Sequence, residues 1–173
     1  MAEYQHLKHE FAPVFNNDSK ILILGTFPSV KSREQQFYYG HPQNRFWKVL
    51  SYITKEPLPT TITEKKQLLL SHNIAIWDVI ASCDIIGSSD SSIRNVIPAD
   101  IAGLLAKTSI TAIFGNGNKA CELFQKYTAP ALTALAQTSA IQKLPSTSPA
   151  NAAWRLDRLC AHWQEKINPF LIP

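Results

Sequence analysis

The chain has 173 residues, of which 45% are hydrophobic and 17% are charged. This length and composition suit one globular domain with a sizeable core and exclude a largely disordered chain. No apolar run approaches the roughly 20 residues of a membrane helix, and no leader-like segment opens the chain, so we expect a cytoplasmic protein. Three widely spaced cysteines disfavour a disulfide framework, a zinc site and an iron–sulfur cluster, so we expect no metal and no cofactor. The net charge of +4 suits an anionic partner such as nucleic acid but does not select one.

The predicted elements alternate along the chain. Apolar runs with adjacent turn residues predict buried strands at residues 20–25, 74–80, 109–114 and 140–144. Apolar spacing of three and four residues predicts helices after Pro42, over 63–70, after Pro98, after 115–118 and beyond Pro149. We expect a single domain over 1–173, with residues 1–19 as an extension that packs on it.

Such alternation predicts a three-layer α/β/α domain with a central, largely parallel four-stranded sheet. Ligands of these sheets bind beyond the carboxyl ends of the strands. The segments expected to surround one cleft therefore follow the strands, at 26–44, 82–95, 115–118 and 145–151. The long segment 26–43 and the segment 82–95 are both interpreted as loops.

The loop after the first strand carries the parts of a pocket for a flat, polar ligand. Gly25 and Pro28 would shape a tight turn, Tyr39 offers a stacking face, and Asn44 offers an amide with donors and an acceptor. The alternative is that the tyrosines only cap the core and Asn44 binds local backbone.

The loop at 145–151 is rich in hydroxyl groups and stiffened by proline, which suits phosphate contacts. The alternative is an ordinary start of a helix, with Ser148 as its cap and Pro149 in its first turn. The turn at 115–119 lacks the spacing of known phosphate-binding loops, so we interpret it as structural, with Asn116 or Asn118 capping the next helix.

Asp90 and Arg94 lie in the segment interpreted as a cleft loop. They could supply a carboxylate and a phosphate contact, or they could belong to a solvated turn. The histidines other than His41 have no visible partners at metal-ligand spacing.

Three motifs carry a family resemblance: GTFPS at 25–29, HPQNRFW at 41–47, and LPSTSPANA at 144–152. With them the sequence resembles the uracil-DNA glycosylase superfamily, and within it the hypoxanthine-DNA (deoxyinosine) glycosylase branch, often called family six. The resemblance implies that Asn44 is the principal catalytic residue and that Tyr39 stacks on the extruded base. Phe27 stands where mismatch-specific relatives carry a water-activating Asn or Asp, and Leu144 stands where the uracil enzymes carry a catalytic histidine.

The resemblance also implies which residues meet DNA. The expected base pocket comprises Thr26, Phe27, Pro28, Tyr39, Gly40 and His41. The loop at 145–151 is expected to enter the minor groove. The expected DNA contacts are Ser29, Lys31, Arg33, Arg45, Arg94, Pro145, Ser146, Thr147, Ser148 and Asn151, with Asp90 as a further candidate of undefined role.

The expected activity is that of a monofunctional glycosylase that flips hypoxanthine, the deamination product of adenine, out of DNA and hydrolyses its N-glycosidic bond. We expect a monomer that acts on duplex DNA containing deaminated bases and has no membrane partner. Single-stranded DNA that contains such bases stays an alternative substrate. A neutral amide is a poor general base, so Asn44 is expected to position groups and stabilise the leaving base. The alternatives are a mismatch-type uracil or thymine glycosylase, a silent module that binds damaged DNA, and a small-molecule enzyme that uses nucleotides.

Overall fold

The computed structural model describes residues 3–135 and 140–171. Its strands are β1 (Gln5–Lys8), β2 (Ile21–Gly25), β3 (Ile74–Asp78), β4 (Ile80–Ile85), β5 (Arg94–Pro98), β6 (Ala112–Asn116) and β7 (Ile141–Leu144). Its helices are α1 (Val30–Gln35), α2 (Phe46–Thr54), α3 (Ile62–Ser71), α4 (Ile101–Ala106), α5 (Asn118–Leu123), α6 (Ala129–Ala134) and α7 (Leu156–Leu171), with a π-helical segment (Phe124–Thr128) between α5 and α6.

The central sheet has the strand order β3-β2-β6-β7, and every pairing in it is parallel. In β2 the side chains alternate between two cores: Ile21 and Ile23 belong to one, whereas Leu22 and Leu24 belong to the other. Helices α2, α3 and α7 pack on the first face, and α4, α5, α6 and β4 pack on the second. The predicted three-layer α/β fold with a parallel four-stranded sheet is confirmed.

A second, antiparallel sheet was not predicted. It has the order β1-β4-β5, and it takes up both ends of the segment 82–95 that the sequence analysis interpreted as a loop: residues 82–85 lie in β4 and residues 94–95 in β5. The interpretation was wrong for these six residues, whereas residues 86–93 connect the two strands; β4 combines buried residues such as Cys83 with half-buried polar ones such as Asp84. A strand with one partly solvated face has a polar composition that imitates a loop.

Three helix boundaries also differ from the predictions. The segment 26–43 contains α1, and Pro42 lies in a turn four residues before α2 begins. The last helix begins at Leu156, so Ser148 and Pro149 lie in a turn and not at its start. Helix α3 begins after Thr61, whose hydroxyl accepts from the Glu64 amide while the Glu64 carboxylate accepts from the Thr61 amide.

The strand order brings the carboxyl ends of β2, β3 and β6 together at one edge of the central sheet. Gly25 lies beside Asp78 in the β2–β3 pairing, and Leu24 lies beside Gly115, one residue before Asn116. Polar residues thus meet where three buried strands end. No helix among residues 3–135 and 140–171 is long and apolar enough to cross a membrane.

Candidate active site

A cavity of about 230 Å³ lies at the carboxyl ends of the central strands. We call it the base pocket. The residues that line it are Gly25, Thr26, Phe27, Pro28, Ser29, Ser32, Tyr38, Tyr39, His41, Asn44, Asp78, Ser88, Asp90, Asn116, Ser146, Thr147, Ser148 and Pro149. The two motifs near the start of the chain and the loop at 145–151 therefore meet in one place, as expected from the parallel sheet.

Asn44 enters the base pocket with its amide orientation fixed. Its Oδ1 accepts two hydrogen bonds, from the backbone N–H of Phe46 at 2.9 Å and from the hydroxyl of Thr147 at 2.8 Å. The Phe46 amide can only donate, so the atom facing it must be the oxygen of the carboxamide. The Nδ2 group has no acceptor among the described residues, and it is the part of Asn44 left to bind a ligand.

Thr147 and Asn116 hold Asn44 in place. The Asn116 carboxamide binds Thr147 twice, with Nδ2 donating to the Thr147 hydroxyl at 3.0 Å and Oδ1 accepting from the Thr147 amide at 3.0 Å. Since that hydroxyl accepts from Asn116, it donates its own proton to Asn44. Thr147 is fully buried. This corrects two expectations: the Thr147 side chain is out of reach of a phosphate, and Asn116 does not cap α5, whose N-cap Gly117 has no side chain.

Arg45 binds the backbone of the loop that contains Thr147. Its guanidinium donates to the carbonyls of Thr147, Ser148, Asn151 and Trp154. These bonds use the donors that a phosphate contact would need, so the expected role of Arg45 in DNA binding does not fit the structure. Arg45 instead holds the loop against the start of α2.

The turn after β2 also lines the base pocket. Ser29 caps α1 by accepting from the Ser32 amide, and Arg33 donates to the carbonyls of Pro28 and Gly87. Burial lowers the pKa of Arg33, and its two carbonyl bonds assign it to the framework of the pocket and not to phosphate binding. Phe27 is buried against this turn, and an apolar ring at this point cannot orient a water molecule.

Tyr39 is held rigidly at the pocket wall. Its backbone has a φ of 54°, and its ring stacks on Phe46 with 3.8 Å between centroids. Burial, with the charge of Asp78 as a smaller cause, raises the pKa of the Tyr39 hydroxyl, which therefore stays neutral. One ring face is already covered by Phe46, so a base can meet only the rest of the ring.

Asp90 lies at the mouth of the base pocket. Its Oδ1 accepts from the Thr26 hydroxyl at 3.2 Å. Although the residue as a whole is exposed, the carboxyl lies against the pocket wall, and desolvation raises its pKa above the ordinary value for an aspartate. A carboxylate with a raised pKa at the entrance of a cleft is a candidate proton acceptor.

Asp78 and His9 form a second acidic feature that the sequence analysis did not assign. Asp78 ends β3 inside the base pocket, and its Oδ2 is 2.8 Å from Nε2 of His9. Both side chains are nearly inaccessible, at 6% and 4% exposure. The signal that could have found Asp78 is a single acid at the end of an otherwise apolar strand; nothing in the sequence marks His9, 69 residues earlier.

Comparisons with known proteins agree with this geometry. The family model described as the uracil DNA glycosylase superfamily matches residues 12–170. The chain belongs to the uracil DNA glycosylase superfamily. A protein of Methanosarcina acetivorans named hypoxanthine DNA glycosylase is 35% identical over 154 residues, which cover 88% of this chain and 93% of that relative. One of the same name from Methanosarcina barkeri is 36% identical over 89 residues, covering 51% of this chain and 56% of the relative.

A solved structure is also similar. It is the solution NMR structure of a Methanosarcina acetivorans protein described as a candidate uracil DNA glycosylase. It is 31% identical, has a TM-score of 0.72, and the match covers 90% of this chain and 95% of that one. The arrangement of strands around the base pocket is therefore a glycosylase-superfamily fold in this chain.

A second groove adjoins the base pocket of this superfamily member and shares Asp90, Ser146 and Ser148 with it. Pro145 and Asn151, both expected to contact DNA, line this groove. Further residues that line it are Gly117, Asn118, Lys143, Leu144, Ala150, Trp154 and His162. Lys143, Asn118 and His162 were missed because each belongs to an element that the sequence assigns to packing.

Besides Arg33 and Arg45, three more of the expected residues lie outside both cavities. Gly40 packs against α1, where a Cβ would lie 2.7 Å from the Gln35 side chain, so its role is close packing and not contact with a base. Lys31 is exposed on α1 and pairs with Glu34. Arg94 lies on β5 with its guanidinium 3.6 Å from the ring centre of Tyr4. The structure thus does not bring Arg94 to the site.

His41 does line the base pocket, as expected. Its Nδ1 accepts from the Gln43 amide at 3.1 Å, which leaves the proton on Nε2. His41 can therefore offer one N–H donor at the pocket.

Proposed function

We propose that this protein is a monofunctional DNA glycosylase that removes hypoxanthine from DNA and so initiates base-excision repair, with uracil and xanthine as weaker substrates. The observation that carries the proposal is the state of Asn44: its oxygen is fully bonded inside the protein, and its N–H₂ group is left to the base pocket. The names of the Methanosarcina relatives support the same substrate.

The size and walls of the pocket suit one extruded base. A cavity of about 230 Å³ is smaller than the roughly 300–1,000 Å³ of drug-sized ligand sites. A glycosidic bond inside a duplex is inaccessible, so the nucleotide must be flipped into such a pocket and read by stacking and by hydrogen bonds to its edges. Tyr39 and Phe27 supply aromatic surface, and the polar groups of Asn44, Asp78 and His41 supply hydrogen bonds.

The chemistry follows from the charges that develop as the bond breaks. The sugar becomes positive and the leaving base negative, so a fixed N–H donor near the base lowers the barrier by electrostatic preorganisation. Asn44 is such a donor, because Thr147 and Asn116 prevent its amide from turning over. This favours stabilisation of the leaving base by Asn44 over orientation of the attacking water by its amide.

Asp90 is proposed to receive the proton of the attacking water. Phe27 cannot do so, whereas Asp90 offers a carboxylate of raised pKa at the mouth of the pocket. Thr26 holds the carboxylate by a hydrogen bond to Oδ1. None of the described residues lining the base pocket is a lysine, which supports a hydrolase without a Schiff-base lyase step.

The groove beside the base pocket is proposed to hold the DNA backbone next to the flipped nucleotide. Lys143 supplies a positive charge there, and the hydroxyls of Ser146 and Ser148 border both cavities. We expect the protein to work as a monomer on the DNA of the cytoplasmic nucleoid, to prefer duplex DNA, and to need no metal or cofactor.

The test is incubation of the purified protein, with EDTA present, with end-labelled duplexes that contain one deoxyinosine, deoxyuridine or deoxyxanthosine, or only normal bases. Alkali then cuts the abasic sites. We expect the strongest cleavage at deoxyinosine and none in normal DNA. A preference for deoxyuridine would identify a uracil glycosylase. Binding without cleavage would identify a module that binds damaged DNA but has no catalytic activity.

A further inference from the structure

One arginine on α7 has no role in the steps above. The guanidinium carbon of Arg158 is 3.9 Å from the ring centre of Trp154, and Trp154 lines the groove beside the base pocket. Arg158 is exposed, and among residues 3–135 and 140–171 it makes a side-chain contact through its backbone N–H, to Asp157, and no hydrogen bond through its guanidinium. The N–H donors of this group are therefore free, although an aromatic ring holds it in place.

Trp154 is itself fixed by bonds to two other elements. Its backbone carbonyl accepts from Arg45, and its backbone N–H donates to the carbonyl of Asn151. Its ring packs against His162 with 5.2 Å between ring centres. Because His162 follows Arg158 by four residues, the two side chains leave the same face of α7 and both contact the indole. The indole thus orders the long Arg158 side chain in advance, which lowers the entropy cost of binding through it.

The charge of the groove favours a further cation beside it. Of the described residues that line the groove, Lys143 carries a positive charge and Asp90 a carboxylate, and these two charges cancel when both groups are ionised. A DNA strand brings one negative charge with every phosphate, so a groove that holds it needs a positive potential. Arg158 supplies that charge, and its planar guanidinium can bind a phosphate through two parallel N–H bonds.

The groove continues the path of the strand that carries the flipped base, which we call the lesion strand. A flipped nucleotide stays joined to its neighbours through its phosphates, and its sugar must lie at the mouth of the base pocket. Asp90 lies at this mouth and also lines the groove, as do Ser146 and Ser148. Trp154 lines the groove but not the base pocket. A phosphate next to the flipped nucleotide is therefore the group that enters the groove toward Trp154.

We infer that Arg158 binds a phosphate of the lesion strand beside the flipped nucleotide, and that Trp154 is its positioning residue. This inference rests on the proposed glycosylase function, which makes DNA the ligand. A phosphate contact positions the DNA and carries no information about the base. Since the phosphate belongs to the strand that enters the base pocket, the same contact forms with single-stranded and with duplex DNA.

The variant Arg158→Gln tests the contact, because it keeps a long polar side chain and removes the charge. Affinity is measured with 2′-fluoro-deoxyinosine, which resists cleavage, in duplex and in single-stranded DNA. We expect a loss of about tenfold in both, as for one charge-assisted hydrogen-bonded contact. The slope of log affinity against log salt should fall by about 1, and undamaged duplex should show the same fall. The single-turnover rate on deoxyinosine at saturating protein should not change.

The matched control is Arg94→Gln. The guanidinium of Arg94 also lies on an aromatic ring, 3.6 Å from the ring centre of Tyr4, but both residues lie outside the base pocket and the groove. This variant should leave the affinity and the salt slope unchanged. An equal loss in Arg94→Gln and Arg158→Gln would show a general effect of net charge and would overturn the inference.

Substitutions of Trp154 test its positioning role. Trp154→Ala should lose about as much affinity as Arg158→Gln, and the double variant should lose no more than either single variant, because both changes remove one contact. Trp154→Phe keeps an aromatic face and should retain most of the affinity. If Trp154→Ala weakens binding by the same factor whether or not Arg158 is present, Trp154 does not act through Arg158.

Neutral methylphosphonates identify the phosphate. One linkage at a time is replaced near the 2′-fluoro-deoxyinosine, on either strand of the duplex. One replacement on the lesion strand should weaken binding of the wild type as much as Arg158→Gln does, and it should not weaken binding of that variant further. Coupling to a phosphate of the opposite strand alone, or to none, overturns the inference. A wild-type protein that binds DNA through Arg158 but cleaves none of the deaminated bases overturns the proposed function instead.

Discussion

Two walls of the base pocket differ in charge and in how their polar atoms are used. The amide wall consists of Asn44, Thr147 and Asn116; it is neutral, and its internal hydrogen bonds leave the Asn44 N–H₂ group for a ligand. The acidic wall consists of Asp78 and Asp90, and each carboxylate has a single hydrogen bond to a described side chain. Donors are thus offered from one wall and acceptors from the other.

This difference corresponds to the needs of N-glycosidic bond cleavage. The leaving base gains electrons and is stabilised by a donor, whereas the attacking water and the ring N–H of a deaminated base both present protons to acceptors. A pocket with only one kind of wall could meet one of these needs. The first three predictions that follow alter one wall at a time, and the last alters neither.

Asn44→Asp should have the largest effect. The new carboxylate can keep both accepted hydrogen bonds, from Phe46 and Thr147, but it replaces the N–H₂ donor with a charged acceptor. We expect the single-turnover rate on deoxyinosine to fall at least about 100-fold, the cost of removing one preorganised donor. Asn44→Ala should lose a similar factor, and a loss of tenfold or less in either variant would exclude Asn44 as the principal catalytic residue.

Asp90→Asn should have the next largest effect, about 100-fold, which is the low end for loss of a general base. The pH profile gives the sharper readout. The raised pKa of Asp90 means that the carboxyl is protonated, and inactive as a base, up to a higher pH than an ordinary aspartate. The wild-type rate should therefore fall as the pH drops through that raised pKa, and the variant should lack this acid limb. An acid limb that persists in Asp90→Asn assigns the titration to another group.

Thr147→Val removes the hydroxyl that joins Asn116 to Asn44 and leaves buried polar atoms unpaired. The free energy of unfolding, measured in urea, should fall by about 1–3 kcal/mol. The rate on deoxyinosine should fall about tenfold, because the Asn44 amide loses one of the two hydrogen bonds that orient it. Thr147→Ser keeps the hydroxyl and serves as the control. If the valine variant retains full activity, the network is not what orients Asn44.

Lys143→Ala should have the smallest effect and should spare both walls. Lys143 lines the groove beside the pocket, so its loss should weaken DNA binding a few-fold and reduce the slope of log affinity against log salt by about 1. Lys107→Ala, at the end of α4, is the matched control with no expected change. Equal slopes of log affinity against log salt for the two variants would show that the DNA backbone does not contact the groove that Lys143 lines.

The sequence predicted the central sheet well because three of its four strands, β2, β3 and β6, are buried on both faces, as Leu22 and Ile23 of β2 illustrate. Asn44 and most of the pocket came from motifs that are short and local. The partners that define how these residues act are distant: Thr147 binds Asn44 across 103 positions, and His9 binds Asp78 across 69. Such pairings depend on the strand order, which no single segment encodes.

The same reason explains the errors in residue roles. Arg45 and Thr147 belong to motifs that the resemblance associates with DNA, and their residue types suit phosphate contacts. The fold instead turns both inward, where Arg45 binds loop carbonyls and Thr147 binds two amide side chains. A residue type fixes what a side chain can bind, but the burial of that side chain decides what it meets.

The central claim is that Asn44 acts on the leaving base through its free N–H₂ group, and comparing binding with turnover tests it most directly. The affinity of wild type and Asn44→Ala for a duplex with uncleavable 2′-fluoro-deoxyinosine is measured beside their single-turnover rates on deoxyinosine. The account predicts affinities within about threefold of each other and rates that differ at least about 100-fold. Equal losses in affinity and rate, or a rate that survives the substitution, would contradict it.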